Sequence, residues 1–145
     1  SVYQEVPVDY YSLPLGEASL LRQGDQITII TYGAGVHWAL ETLDKHTEIR
    51  ADVLDLRTLQ PLDTKAIYDS VIRTGKVIIL QEDSLFGGIA SDISAMVMEN
   101  CFEYLDGPIK RVGSLETPIP FNAELEAQYL AKSRFEKDLL ELIAY

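Results

Sequence analysis

Cysteine and basic residues are both scarce in this chain of 145 residues. Cys101 is the single cysteine, so a disulfide framework and a cysteine-rich zinc site are excluded and a reducing compartment is expected. Twelve Lys and Arg stand against 23 Asp and Glu, which gives a formal net charge of −11. Such a surface repels phosphate backbones and anionic lipids, so we expect neither nucleic acid nor a membrane as partner and favour a basic protein.

Long apolar runs are also missing. No segment reaches the roughly 20 apolar residues that cross a bilayer, and the chain does not open on a secretory signal. It begins with Ser1-Val2 rather than Met, from which we expect a piece of a longer protein. The length and the 47% apolar content predict one domain with a substantial core. We expect an extended lead-in, the end of a linker, over residues 1–16 and the domain over residues 17–145.

Strand patterns alternate with helix patterns along the chain. Residues 26–31 and 77–80 are continuous apolar, β-branched runs, which are typical of strands buried on both faces. The turn after a first strand at 18–21 is too short for a parallel crossover, so that strand is predicted to pair antiparallel or to lie at an edge. Further strands are predicted at 51–56 and 109–112, which together give an α/β doubly wound domain with five strands.

Helices are predicted between these strands at 36–45, from an Asp63 cap to Gly75, and at 89–102. Residues 81–88 are predicted to form a loop, as is the proline-rich segment around Pro118 and Pro120. A last helix is expected to open with a capping box of Ser133 and Glu136. Its predicted inward residues are Phe135, Leu139, Leu140 and Ile143.

The turn Gly33-Ala34-Gly35 joins a predicted strand to a predicted helix, where a phosphate-binding loop would lie. Asp55 follows Gly35 by 20 residues, as a ribose-binding acid would. However, Trp38 stands where the dinucleotide fingerprint has its third glycine and would block close helix–strand approach, and a Walker lysine is absent. We therefore favour a plain tight turn and keep a stand-alone nucleotide- or anion-binding module as the alternative.

The remaining chemistry-bearing residues do not assemble into a catalytic motif. His37 and His46 lie nine residues apart, so we expect His37 to be a polar contact at the turn and His46 to be a cation at the helix C-terminus. Glu82 and Asp83 follow a strand end and are interpreted as a solvated loop in preference to a cation site. Cys101 is interpreted as a small buried hydrophobe. The sequence thus predicts no catalytic, cofactor-binding or metal-binding residue.

The segment 55–63, Asp-Leu-Arg-Thr-Leu-Gln-Pro-Leu-Asp, is similar to the Asp-Leu-Arg-Thr-x-x-Pro-x-Asp signature of the transketolase superfamily C-terminal domain. More narrowly, the chain resembles the β subunit of the thiamin-diphosphate-dependent, decarboxylating component of 2-oxoacid dehydrogenases. Further matching motifs are 70–76 with Glu82, Gly87-Gly88, Glu99 with Phe102, 105–108, Arg111-Val112 and 117–120. The opening 5–7 and the tail 141–145 favour the branched-chain (2-oxoisovalerate) members over the pyruvate type. The 117–120 motif and the tail disfavour the alternative of a transketolase or deoxyxylulose-phosphate synthase C-terminal domain.

The resemblance implies a three-layer α/β/α sandwich on a five-stranded mixed sheet with one antiparallel strand. The signature residues Asp55, Arg57, Thr58, Pro61 and Asp63 are expected to be mainly architectural, with Asp55 and Arg57 paired and Asp63 as a helix cap. Thiamin diphosphate and Mg²⁺ would be bound by domains of the parent enzyme that this segment lacks, since the Gly-Asp-Gly metal motif has no match.

The resemblance also implies a parent reaction, the oxidative decarboxylation of a 2-oxoacid with acyl transfer to a lipoyl group. The isolated domain is expected to be inactive. Its implied partners are other subunits of a dimer or heterotetramer and the basic subunit-binding domain of a dihydrolipoyl acyltransferase, in the bacterial cytoplasm or the mitochondrial matrix. Asp106 and Tyr145 match the docking positions, whereas Lys110 departs from the acidic pattern. The stretch 77–109 holds no Lys or Arg but six acids.

Overall fold

Five strands form one mixed sheet in the computed structural model, which describes residues 5–145. They are β1 (Ser19–Arg22), β2 (Ile27–Thr31), β3 (Ala51–Asp55), β4 (Val77–Ser84) and β5 (Lys110–Ser114). Their order across the sheet is β1-β3-β2-β4-β5. β1 pairs antiparallel with β3, and the other neighbours are parallel. The predicted count of strands and the single antiparallel strand are confirmed.

Helices cover both faces of this sheet. They are α1 (Ala34–Lys45), α2 (Thr64–Thr74), α3 (Ala90–Cys101), α4 (Ala123–Tyr129) and α5 (Lys132–Ala144). Trp38 of α1 and Phe135 of α5 belong to one buried cluster, whereas Val71 of α2 and Ile93 of α3 belong to another. Every residue of β2 is buried, as its continuous apolar pattern predicts for a strand between two helix layers. The three-layer α/β/α architecture is therefore confirmed.

Strand β4 is longer than its apolar run. The predicted loop at residues 81–84 is wrong, because the strand continues through these polar residues and Ser84 pairs with Ser114 after an irregularity in the register. Gln81 is fully buried there, and its amide nitrogen donates to the backbone oxygens of Asp83 and Ser84. These bonds satisfy a polar side chain inside the protein, which hydrophobic periodicity does not reveal.

The C-terminal third of the chain differs most from the prediction. The segment around Pro118 and Pro120 is a loop as predicted, but helix α4, which follows it, was not predicted. Its N-terminus is capped by Asn122, whose side-chain oxygen accepts from the amide of Glu124 at 2.9 Å. The capping box at Ser133 is wrong: α5 already begins at Lys132, and the Ser133 hydroxyl donates to the Leu130 carbonyl at 3.0 Å.

The inward face of α5 also needs one correction. Phe135 and Leu139 are fully buried as predicted, but Leu140 is 39% exposed and Leu142 takes the inward position at 1% exposure. Leu142 lies seven residues after Phe135, so the two share a face of the helix, whereas Leu140 is rotated away from it.

Polar caps define α2 as the sequence predicts. The Asp63 carboxylate accepts from the Ala66 amide at 3.0 Å, and Gly75 ends the helix at φ 72°, a conformation that glycine adopts without strain. Residues 5–18, the described part of the predicted lead-in and its junction, contain no helix or strand, while Ser1–Gln4 lie outside the described residues. Between residues 5 and 145, no helix is both long and apolar enough to cross a bilayer.

Candidate functional site

The connections that follow the neighbouring strands β2 and β4 run to opposite faces of the sheet. Helix α1 follows β2 on one face, and α3 follows β4 on the other. In open α/β sheets, ligand crevices form at the carboxyl ends of the strands where such a switch occurs. Tyr32, Glu82 and Asp83 lie at this switch and line a hollow of about 310 Å³. Glu82 and Asp83 are exposed, which agrees with their interpretation as solvated residues.

The glycine turn after β2 packs tightly against the sheet. A Cβ on Gly35 would lie 2.2 Å from Thr31 Oγ1 and 3.4 Å from the backbone oxygen of Leu80, so Gly35 itself provides the close helix–strand approach. The expectation that Trp38 blocks this approach is therefore wrong: Trp38 is 8% exposed and packs in the core further along α1. The buried Thr31 hydroxyl has no hydrogen-bond partner among the described residues.

Two residues considered for a nucleotide site, Gly33 and Asp55, line one cleft. Gly33, His37, Asp55 and Arg57 line a hollow of about 760 Å³, whose other wall is the lead-in segment. The Asp55 carboxylate accepts from the backbone amide of Arg57 at 3.1 Å, but among the described residues no ion pair joins the two side chains, contrary to expectation. Asp55 and Glu5 oppose the charge of Arg57, which leaves no excess of positive charge to attract an anion.

The signature motif ties the lead-in to the domain. The Thr58 hydroxyl accepts from the Gly16 amide at 2.9 Å and donates to the Pro61 carbonyl at 2.9 Å. The second oxygen of Asp63 accepts from the Ala18 amide at 2.9 Å. These side chains therefore hold the backbone at the point where it runs into β1.

A second site lies at the opposite end of the sheet and brings together Asp106 and Tyr145. Asp106 is exposed, and its amide donates to the Gly75 carbonyl at 2.8 Å. One oxygen of its carboxylate lies close to Gly75 at the end of α2, where a Cβ would come within 2.2 Å of it. A Cβ on Gly107 would lie 3.1 Å from the Tyr145 ring, so the ring packs on this glycine while remaining 75% exposed. We call Asp106, Gly107 and Tyr145 the C-terminal surface. It lies roughly 25 Å from Asp83, the length of strand β4 at about 3.3 Å per residue.

Lys110 does not add free positive charge to this end of the domain. Its Nζ lies 3.4 Å from Glu141 Oε2 and 3.9 Å from Asp138 Oδ1, both on α5. Two carboxylates thus surround the one ammonium group that departs from the expected acidic pattern. The end of α5 is further tied to the sheet by Lys76, whose Nζ donates to the Ile143 carbonyl at 3.0 Å.

His46 follows the last residue of α1, as predicted, and links this helix to α5. Its Nε2 lies 2.8 Å from Glu136 Oε1, and its Nδ1 lies 3.4 Å from Glu48 Oε1. The hydrogen bond with Glu136 is the largest cause that raises the pKa of His46 above 6.5, and the same bond lowers the pKa of Glu136 below 4.5.

The His46–Glu136 pair predicts a pH-dependent stability difference between the wild type and His46→Gln. The contribution of the raised histidine pKa is fully present below pH 6.5 and is lost as the pH rises through its folded value. The contribution of Glu136 is present above pH 4.5 and is lost as the pH falls. Thermal unfolding from pH 4 to pH 9 is therefore expected to show the largest difference between about pH 4.5 and 6.5. A difference that grows toward pH 9 would contradict this assignment.

The described residues 5–145 contain no group of three or more His, Cys, Asp or Glu side chains arranged to hold a metal ion. Cys101 is buried, and this burial raises the pKa of its thiol, which disfavours the reactive thiolate.

Comparison with known proteins agrees with this arrangement. The family model "Transketolase, C-terminal domain" matches residues 16–134. The chain is 45% identical over 128 residues to the acetoin:2,6-dichlorophenolindophenol oxidoreductase subunit beta of Bacillus subtilis, which covers 87% of the chain and 37% of the relative. It is 40% identical over 145 residues to the 2-oxoisovalerate dehydrogenase subunit beta of the same organism, covering 97% of the chain and 44% of the relative.

A third relative is the pyruvate dehydrogenase E1 component subunit beta of Rickettsia felis, 36% identical over 141 residues, which cover 96% of the chain and 42% of the relative. The chain thus spans less than half the length of these curated relatives. A solved split-gene transketolase, described as an inactive beta4 tetramer, shares the fold with a TM-score of 0.78 and 24% identity over 97% of the chain and 46% of that protein. The chain belongs to the transketolase C-terminal domain family and is similar to the beta subunits of an acetoin oxidoreductase, a 2-oxoisovalerate dehydrogenase and a pyruvate dehydrogenase.

Proposed function

We propose that this chain is the C-terminal domain of the β subunit in the decarboxylating component of a 2-oxoacid dehydrogenase complex. There it supplies subunit contacts within a dimer or heterotetramer and a docking surface for the acyltransferase core. The match to the family over residues 16–134 carries this proposal, because three relatives that cover most of the chain are all named as beta subunits. Residues 1–16 would be the end of the linker that precedes the domain.

The proposed parent reaction is oxidative decarboxylation of a 2-oxoacid with transfer of the acyl group to a lipoyl arm. Its thiamin diphosphate and Mg²⁺ do not fit the described residues of this chain. The hollow at the β2–β4 switch carries Glu82, Asp83 and Glu126 and no basic side chain, so it would repel a diphosphate. The cofactor is therefore assigned to parts of the parent enzyme outside this chain, and the isolated domain is expected to be inactive.

Substrate specificity is also assigned to parts of the parent enzyme outside this chain. The names of the relatives include the 2-oxoacids 2-oxoisovalerate and pyruvate and the hydroxyketone acetoin. The proposed substrate class therefore extends from 2-oxoacids to a hydroxyketone. The preference for the branched-chain type rests on the motifs at 5–7 and 141–145, since the 2-oxoisovalerate and pyruvate relatives cover nearly the same share of the chain, 97% and 96%. Bacterial relatives and a mitochondrial one from Dictyostelium discoideum support a bacterial cytoplasmic or a mitochondrial matrix location.

The C-terminal surface is proposed to dock the basic subunit-binding domain of the acyltransferase. Three features support this: the Asp106 carboxylate is exposed, the Tyr145 ring packs beside it on Gly107, and the charge of Lys110 is offset by Glu141 and Asp138. Where Tyr145 ends the protein, its terminal carboxylate adds a further negative charge. A basic partner would therefore meet the Asp106 carboxylate, while Lys110 is paired with carboxylates and the Lys76 ammonium donates to the Ile143 carbonyl.

Reversal of the Asp106 charge tests this docking surface. Asp106→Lys is expected to weaken binding of the basic domain about tenfold, since it places an ammonium group against a basic partner. The matched control is Asp9→Lys, which makes the same change in net charge at an exposed position of the lead-in. Isothermal titration calorimetry measures both variants, and equal affinities would rule out Asp106 as a docking residue.

Isothermal titration calorimetry also tests the alternative that this chain is a nucleotide-binding module. The mixed charge of the Gly33 cleft leads us to expect no micromolar binding of adenine nucleotides. A micromolar affinity would instead favour a stand-alone nucleotide-binding role.

A further inference from the structure

A second exposed surface lies where the parallel strands have their carboxyl ends, at the opposite end of the sheet from Asp106, Gly107 and Tyr145. Two adjoining hollows of about 310 Å³ and 530 Å³ share Asp83, Ile119 and Tyr129. The smaller lies between Tyr32 and Glu126, and the larger is lined by Phe86. We call these joined hollows the switch-point groove.

The wall of this groove is apolar and exposed. Phe86 is 85% exposed and Ile119 is 68% exposed, and Leu115 beside them is 43% exposed. Contiguous apolar side chains at this exposure mark interaction surfaces more often than solvated loops. The groove therefore offers contact area that stays in water in the isolated chain.

The loop that carries Phe86 is fixed from beneath by Gln81. The buried Gln81 side chain donates to the Ser84 carbonyl and accepts from the Ala90 amide at 2.8 Å, so it bridges both ends of the loop. A Cβ on Gly88 would lie 2.0 Å from Gln81 Nε2, which shows how closely the loop packs on this amide. Phe86 is thus held outward on an ordered loop, and binding against it costs little further ordering.

All the charged side chains that line the groove are acidic. Glu82, Asp83 and Glu126 line the smaller hollow, Glu116 lines the larger, and no Lys or Arg lines either one. Burial raises the pKa of Tyr32, and the nearby Asp83 and Glu82 charges raise it further. Carboxylates beside two tyrosine rings favour an ammonium or guanidinium group, which gains from both the charge and the ring faces.

The lead-in segment of this chain does not supply the occupant. Residues 1–21 contain no Lys or Arg, so the lead-in offers no basic side chain to the groove. A second copy related by a two-fold axis that passes through the groove would set its carboxylates against their own copies. The carboxylates of the groove favour a basic segment from a different polypeptide.

We propose that the switch-point groove docks a basic segment from a neighbouring subunit of the parent enzyme. One Lys or Arg side chain fills the hollow between Tyr32, Asp83 and Glu126, and an adjacent apolar side chain packs on Phe86 and Ile119. The smaller hollow lies at the lower end of the size range of ligand pockets, which suits a single long side chain. This surface uses other acids than Asp106 and lies at the other end of β4.

The test uses the full chain and a synthetic peptide, Gly-Leu-Arg-Leu-Arg-Leu-Gly, acetylated and amidated at its ends. Nuclear magnetic resonance titration is expected to show saturable shifts at the amides of Tyr32, Asp83 and Tyr129. Neutralisation by Asp83→Asn with Glu126→Gln is expected to weaken this binding about fivefold, and Phe86→Ser about threefold. The matched control is Asp92→Asn with Glu99→Gln, which removes two exposed acids of α3 outside the groove.

Several outcomes would overturn the proposal. They are the absence of saturable shifts, equal binding of a peptide with Glu in place of Arg, and unchanged affinity in the neutralised variant. Shifts confined to Asp106 and Tyr145 would assign the peptide to the C-terminal surface instead. Self-association in analytical ultracentrifugation that Phe86→Ser abolishes would assign the groove to a second copy of this chain.

Discussion

Replacing Asp52 with asparagine is expected to lower the free energy of unfolding by about 3 kcal/mol. Asp52 is fully buried, and one carboxylate oxygen accepts from the Gly24 amide at 2.8 Å. The other oxygen accepts from the Ser70 hydroxyl and from the Arg73 guanidinium. Asparagine lacks the charge and presents an NH₂ group to one set of these donors, so buried donors lose their acceptor.

The Asp52 prediction has a matched control in Asp69→Asn. Asp69 forms an exposed i,i+4 pair with Lys65, and such pairs contribute about 0.5 kcal/mol or less. Urea unfolding of both variants measures the difference. Equal losses in the two variants would show that the buried network around Asp52 contributes no more than a surface ion pair.

Truncation of Phe135 to alanine is expected to lower the free energy of unfolding by about 3–5 kcal/mol. Phe135 is fully buried between α5 and the sheet, in the same cluster as Trp38 and Leu139, so its removal leaves a cavity. Leu140→Ala on the same helix is expected to cost less than about 1 kcal/mol, because Leu140 is 39% exposed.

The Phe135 and Leu140 variants are measured in the same urea titrations. A larger loss in Leu140→Ala than in Phe135→Ala would contradict the inward face of α5. This face matters for the proposed docking because α5 ends beside Tyr145 and is tied there by Lys76. Loosening of the helix is expected to displace the C-terminal surface.

The sheet was predictable because its signal is local. The runs 27–31 of β2 and 77–80 of β4 are buried on both faces, and every side chain in them is apolar or β-branched. The ends of α2 were likewise predictable, because Asp63 caps its N-terminus through its side chain and Gly75 adopts the left-handed conformation that ends it. In contrast, α4 has seven residues and no long apolar period, and the polar end of β4 depends on Gln81 bonds formed in the folded chain.

The candidate sites were predictable in part. The family resemblance implied Asp106 and Tyr145 as docking positions, but their proximity depends on Gly107 and on the path of α5. The switch-point groove was not predicted, because its walls come from β4, the Phe86 loop and the segment before α4. Its signal in the sequence is the lack of Lys and Arg from residue 112 to residue 131 as well as from 77 to 109.

The proposed role in assembly is tested most directly by titrating the basic subunit-binding domain of the cognate dihydrolipoyl acyltransferase into the full chain at two salt concentrations. The acidic C-terminal surface predicts saturable binding that weakens as the salt concentration rises from about 0.05 M to 0.5 M, since exposed charges are screened. Absence of binding at the lower salt concentration, or an affinity that salt does not change, would contradict a docking surface built on Asp106 and Tyr145.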